Sequence, residues 1–410
     1  MSRELVYLLL IFGLLVVPRV LQRFLIPAPV TSFGLGITAM ILWGAQTRDP
    51  VIALLSTLGI SSLFLFAGLE VEVQALKRGM HRLLVHLAIR ALSLVLVAWA
   101  GAHYFELGWQ PAALLALALL TPSTGFILDT LERLGLTPEE RFWVTSKAIV
   151  GELMALALLF VVLQADDPAQ LGISSLVMVG MLVGLPLLFV ALGRWVVPHA
   201  PGSEFSLLVM VGLVAAYVTY ELGVYYLVGA FVAGLVARLL RARMPSLASR
   251  DNLHAVRLFA TFFVPVYFFH AGTLLPRDAL TWDALVLGLG MTAVVLPARL
   301  GMLWLQRRFM FGEAHASSLR VSVALAPTLV FTLVLAGILD SGFGVSGTLI
   351  GALLLYATLN TLLPSLLLRM PFNVDPLLDA PAHPDDRLDE PEPELDPVRP
   401  EPVSSPPRGG

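Results

Sequence analysis

The chain has no cysteine, which excludes disulfides, thiolate metal centres and cysteine nucleophiles. Charge is also scarce. Only 13% of the 410 residues are Asp, Glu, Lys or Arg, whereas 57% are hydrophobic, and the mean hydropathy is +0.84. Soluble domains carry about 25% charged residues, so a soluble enzyme is excluded. No basic stretch interleaves with aromatics, which argues against nucleic acid. The histidines show no metal-ligand spacing and no His-Glu-x-x-His occurs, so neither a metalloprotease nor a structural metal is expected. No Gly-rich dinucleotide motif follows a strand pattern, and no cofactor of any kind is called for. What remains is one apolar run after another, whose natural surroundings are a lipid bilayer.

Apolar windows long enough to cross a bilayer fall at 4–22, 28–45, 51–72, 83–104, 111–130, 141–164, 172–197, 204–220, 223–240, 256–275, 283–305, 317–339 and 344–368. The chain therefore reads as an all-α, polytopic membrane protein with about thirteen transmembrane helices. The first window resembles a secretory signal, but Pro18-Arg19 follows it without a small-residue cleavage site, so it is read as a helix. Arg19, Arg23, Lys77, Arg78, Arg82, Arg133, Arg141, Arg194, Arg241, Arg243, Arg250, Arg307 and Arg308 all flank odd-numbered loops. Even-numbered loops hold only Arg48 and Arg277. By the positive-inside rule the N-terminus faces out and the C-terminus faces the cytoplasm, in an inner or plasma membrane of bacterial type.

Two windows are interrupted at mid-span by a proline among small hydroxylated residues. These are Leu120-Thr121-Pro122-Ser123-Thr124 and Leu325-Ala326-Pro327-Thr328, and their prolines lie 205 positions apart. A proline removes a backbone donor and frees a carbonyl, which lipid cannot satisfy, so such breaks persist only where they are buried or line a cavity. Further echoes share the spacing. Phe66-Ala67-Gly68 recurs as His270-Ala271-Gly272, offset by 204, and Phe33 and Gly36 recur as Phe231 and Gly234, offset by 198. Helices 1 to 6 thus overlay helices 8 to 13. The single intervening helix makes the two six-helix repeats inverted, with crossed broken helices at their interface, where transporters place an ion site. The expected layout is a membrane domain over 1–370, with repeat one at 1–165, a linker helix at 171–198 and repeat two at 203–370. Residues 371–410, rich in Pro and acids, read as a disordered cytoplasmic tail.

An ionisable side chain near mid-membrane costs about 2.5–3.5 kcal/mol and is a functional candidate by default. Glu152 is followed by Leu153-Met154-Ala155-Leu156-Ala157-Leu158 and is too short to snorkel. It is either one half of a helix-locking ion pair, with Arg299 or Lys147, or a carboxylate that takes up a proton or a cation. Arg299 either snorkels to the cytoplasmic side on its long stem or, as the preferred reading, is the charge partner of Glu152. Lys147, five residues earlier and about 140° round the helix, snorkels or pairs elsewhere and is a candidate for pH tuning. Arg90 is ambiguous between snorkelling and pairing, and His270 is a buried histidine that could tune proton sensitivity.

Four segments carry a family resemblance: Phe64-Leu65-Phe66-Ala67-Gly68-Leu69-Glu70, Leu120-Thr121-Pro122-Ser123-Thr124, Val228-Gly229-Ala230-Phe231-Val232-Ala233-Gly234, and the Pro265-to-Gly272 stretch Pro-Val-Tyr-Phe-Phe-His-Ala-Gly. Over residues 5–368 the chain resembles the second family of monovalent cation:proton antiporters, which holds sodium/hydrogen exchangers and the Kef-type membrane domains of potassium-efflux systems. The resemblance implies a homodimer that exchanges Na⁺ or K⁺ for protons without enzymatic chemistry. It places the family's ion-binding pair on Gly151-Glu152, so the carboxylate is kept and its neighbour lost, and it places the family's embedded basic residue on Arg299. The acid that usually follows the second break is missing here. Thr121, Ser123, Thr124 and Thr328 would add oxygen ligands, and a single carboxylate implies electroneutral one-for-one exchange. The competing classes are a sodium- or proton-coupled organic anion transporter of similar inverted-repeat fold and a non-transporting membrane sensor or scaffold.

Overall fold

The computed structural model describes residues 3–44, 49–71, 76–77, 79–131, 134–200, 202–241 and 249–368. The expected tail at 371–410 lies outside the described residues, as do Arg48, Arg78, Arg133 and Arg243. Among the described residues there are helices and no strand. They are α1 (Arg3–Leu21), α2 (Ala28–Trp43), α3 (Pro50–Leu69), α4 (Met80–Tyr104), α5 (Trp109–Leu120), α6 (Thr124–Leu131), α7 (Pro138–Gln164), α8 (Pro168–Trp195), α9 (Glu204–Glu221), α10 (Tyr226–Leu239), α11 (Arg250–Thr273), α12 (Trp282–Leu305), α13 (His315–Ala324), α14 (Leu329–Phe343) and α15 (Gly347–Leu367).

Local chemistry sets many of the starts. Asp49 and Asp167 accept backbone N–H groups at the heads of α3 and α8, each followed by a proline at the first helical position. Thr137 and Glu140 form a capping box at the head of α7, again with proline, here Pro138, at the first position. Ten spans are long and apolar enough to cross a membrane, one of them running from α5 into α6. The pair α13 and α14, bent by 43°, makes an eleventh. The other two windows, α2 and α10, hold apolar helices of 16 and 14 residues. At 1.5 Å per residue these reach about 24 and 21 Å, short of a hydrocarbon core of about 30 Å.

Glycines fix how α2, α3, α10 and α11 meet. A Cβ on Gly36 of α2 would collide with the backbone of Phe269 and Gly272 on α11, and one on Gly272 would collide with that of Phe33 and Gly36. A Cβ on Gly68 of α3 would collide with the backbone of Phe231 and Gly234 on α10, and one on Gly234 with that of Leu65 and Gly68. The two contacts are reciprocal: exchanging 36 with 234 and 272 with 68 turns one into the other. The remaining helices gather round the breaks, with α5 packed on α14, α4 on α5 and α7, and α12 on α13 and α15.

Candidate functional site

Backbone groups freed at the two breaks are met from across the molecule. Pro122 has no N–H to give the carbonyl of Ala118, and the Thr332 hydroxyl of α14 donates to that oxygen instead at 2.8 Å. The Ser123 N–H turns away from Leu119 and reaches the Pro327 carbonyl at 2.8 Å, which joins the two breaks directly. The Leu119 carbonyl takes the Tyr356 hydroxyl at 2.8 Å. At the second break, Arg299 donates to the carbonyls of Leu325 at 2.6 Å and Ala326 at 2.8 Å. The Ser123 hydroxyl accepts the N–H groups of Val330 and Phe331, at 3.0 and 3.4 Å, and so caps α14 from another helix. Asn360 accepts from the Thr328 N–H at 3.2 Å and donates to the Thr328 hydroxyl at 2.9 Å. An interrupted helix in lipid demands this degree of internal satisfaction.

Glu152 is the fifteenth residue of the 27-residue α7, about 21 Å from its start, and is 2% exposed. Two interactions seat α7: the capping box at its head, and an ion pair of 3.4 Å between Glu140 and Arg320 on α13. The Glu152 carboxyl lies beside both the hydroxyl and the backbone N–H of Thr124, at the head of α6, where a negative charge is favoured. Its Oε2 nevertheless makes no regular hydrogen bond, and neither do the buried hydroxyls of Thr121 and Thr124. Three buried oxygens without partners thus belong to the first break and to the carboxylate that faces it. The other two expected ligands are already engaged, since Ser123 caps α14 and Thr328 is bound by Asn360 and by Thr332 at 3.0 Å.

Arg299 does not pair with Glu152. Both of its terminal nitrogens go to the carbonyls of Leu325 and Ala326, whose helical donors would lie beyond the break, where the Val330 N–H is taken by Ser123. A different guanidinium stands beside Glu152, that of Arg90 on α4. Its Nη1 would lie 2.9 Å from a Cβ placed on Gly151, so it fills the space a side chain there would take. Lys147 is 1% exposed and turned away from Glu152: its Nζ donates to the Gln306 side-chain oxygen at 3.4 Å and lies over the Phe311 ring, which it shares with Arg82. His270 is half-buried in α11, whose neighbours are α2 and α3, and no hydrogen bond among the described residues joins its ring to the breaks.

The sodium/hydrogen exchanger transmembrane family model matches residues 5–374, nearly the whole membrane domain. The chain belongs to this family. It is 25% identical over 280 residues to "Probable Na(+)/H(+) antiporter 3" of Methanocaldococcus jannaschii, which covers 65% of this chain and 70% of that protein. Its fold is similar to that of the sodium proton antiporter MjNhaP1 of the same organism, whose structure was solved at pH 8, with a TM-score of 0.61 at 15% identity. That likeness covers 88% of this chain and 96% of the other. Family and fold are those of transporters and not of enzymes.

Within this exchanger fold the sequence left several residues unread. Asn360, Tyr356, Thr332 and the His86–Gln306 pair, joined at 3.0 Å, are all buried and bonded. Asn360 had a signal. It lies 208 positions after Glu152, close to the offset of the prolines, and it holds Thr328 much as Glu152 faces Thr124.

Proposed function

We propose that this exchanger carries its cation and its proton in turn on the Glu152 carboxylate, with the Thr121 and Thr124 hydroxyls completing the cation's oxygen shell. The observation that carries this reading is the group of three buried, unpartnered oxygens at the first break. A hydroxyl and a carboxylate are hard donors suited to a small monovalent cation, and a buried carboxylate is stable only when paired, protonated or metal-bound. Cation and proton therefore exclude each other. Because an empty carboxylate in a low-dielectric core is costly, the core crosses only when loaded, which couples the two fluxes. Arg299, Ser123 and Thr328 hold the breaks open and are not ligands in this scheme, and His270 has no part in it.

The same proposal includes thirteen crossings, two inverted repeats over 1–165 and 203–370, an outward N-terminus, a cytoplasmic C-terminus and a homodimer. The reciprocal glycine contacts, and the matching roles of Glu152 and Asn360, support the repeats. The exposed apolar side chains of α8, such as Leu176, Val179 and Leu187, offer a face for lipid or a second copy.

Glu152→Gln keeps the shape of the side chain and removes its charge. In sealed vesicles, addition of Na⁺, K⁺ or Li⁺ is expected to drive proton movement in the wild type and none in this variant, at unchanged expression. Exchange retained by the variant would reject Glu152 as the carrier.

A further inference from the structure

Charge around the crossing does not balance. Among the described residues, the guanidinium groups of Arg90 and Arg299 are both buried beside the crossing with the single carboxylate of Glu152, while Lys147, also buried, has Arg307 and Glu313 near it. Lysine can shed its proton, but a guanidinium stays charged, so at least two fixed cations share one acid. Their surroundings differ. Arg299 is satisfied by two carbonyls. Arg90 sits 209 positions before Arg299, the repeat spacing again, on α4 where Arg299 is on α12, yet no carbonyl of its own break serves it. Its Nε and Nη2 are buried and unpartnered, although the residue is only 6% exposed. These two nitrogens form one edge of the guanidinium, the edge that grips an anion with two parallel bonds. The third, Nη1, is turned to Gly151.

Arg90 borders a cavity of about 20 Å³ with His86, Ser93, Lys147, Arg299 and Pro122 on its wall. This is space for one water molecule or one small ion. A water would satisfy the two N–H groups but leave the charge, which Glu152 meets only while it holds neither proton nor cation, and uncompensated charge is what a membrane interior tolerates least. We propose that the cavity binds one monovalent anion of chloride size, held by the Nε and Nη2 of Arg90 and facing Lys147 and Arg299. The anion is a resident and not cargo. Its functional effect rests on the antiport reading: with its charge met from one side, Arg90 competes less with the transported cation for Glu152, so bound anion raises cation affinity.

The site is tested without transport, on the full chain in detergent at fixed Na⁺, with chloride or bromide exchanged for gluconate, which is too large for the cavity. Either halide is expected to raise the melting temperature by about 3 °C or more, and Arg90→Gln to abolish the difference. No halide effect in the wild type, or an equal effect in Arg90→Gln, overturns the site. Should Arg90→Gln fail to fold, Arg90→Lys, which keeps the charge but loses the two-nitrogen edge, is expected to need several-fold more halide for the same shift. An unchanged requirement overturns the assignment to Arg90. In vesicles, the apparent KM for Na⁺ is expected to fall at least threefold when chloride replaces gluconate on both sides. An unchanged KM beside a halide-dependent melting temperature overturns the coupling, and halide-dependent melting in a protein with no exchange at all would count against the antiport reading and not the site.

Discussion

Arg299 shows how a buried charge can be occupied without a counter-charge. Its fork faces two backbone oxygens at the end of α13, where the helix dipole is negative and the break turns the Val330 N–H to Ser123 and away from the Ala326 carbonyl. Removing it strands both carbonyls in a dry interior. Each buried acceptor left alone costs about 1–3 kcal/mol, so Arg299→Ala is expected to lower stability by about 2–5 kcal/mol, read as a drop in melting temperature in detergent. Arg299→Lys keeps the charge but can no longer bridge the two oxygens in one plane, and is expected to recover less than half of the loss. An alanine variant that melts like the wild type would mean that the carbonyls find other donors. Reading the sequence made Arg299 the partner of Glu152 because opposite charges in lipid seek each other. That reasoning counted side chains only, and a proline break creates acceptors that no side-chain inventory contains.

At the scale of elements, the interface of α2 and α3 with α10 and α11 depends on glycines that let backbones touch. Gly36→Ala would drive a methyl into the Phe269 carbonyl, and Gly234→Ala would drive one into that of Leu65. Each is expected to cost about 2 kcal/mol or more, because backbone on both sides resists displacement. Gly290→Ala, on α12 with nothing within 4 Å of the new atom, is the control and is expected to be neutral or to stabilise slightly. If Gly36→Ala and Gly234→Ala melt no lower than Gly290→Ala, the close packing of these helices is not what holds them. Both breaks were legible from the sequence, since each falls at the proline that marked it. The partners of the breaks were less so. Thr332, Tyr356 and Asn360 are single polar residues in apolar helices, with no local pattern to mark them. The offset, carried from Glu152, would have reached Asn360 but neither Thr332 nor Tyr356.

For the whole molecule, the decisive quantity is the charge that crosses with each load. One exchangeable carboxylate takes one proton or one monovalent cation, and the fixed guanidinium groups of Arg90 and Arg299 keep their charge in both cases. On the proposed single-carboxylate scheme, the loaded core carries the same charge in either direction, and a full cycle is expected to move none. A cycle that moved one net charge would gain or lose about 2.3 kcal/mol per 100 mV, which shifts the flux balance about 50-fold. In vesicles carrying an imposed potential of that size, the ratio of cation gradient to proton gradient at zero net flux is expected to stay at one, on either sign of the potential. A balance point that moves with voltage would require a second titrating group in the cycle. Lys147 and His86 would be the first to test, since both are buried on the wall of the same cavity, both bond to the Gln306 side-chain oxygen, and each can give up a proton.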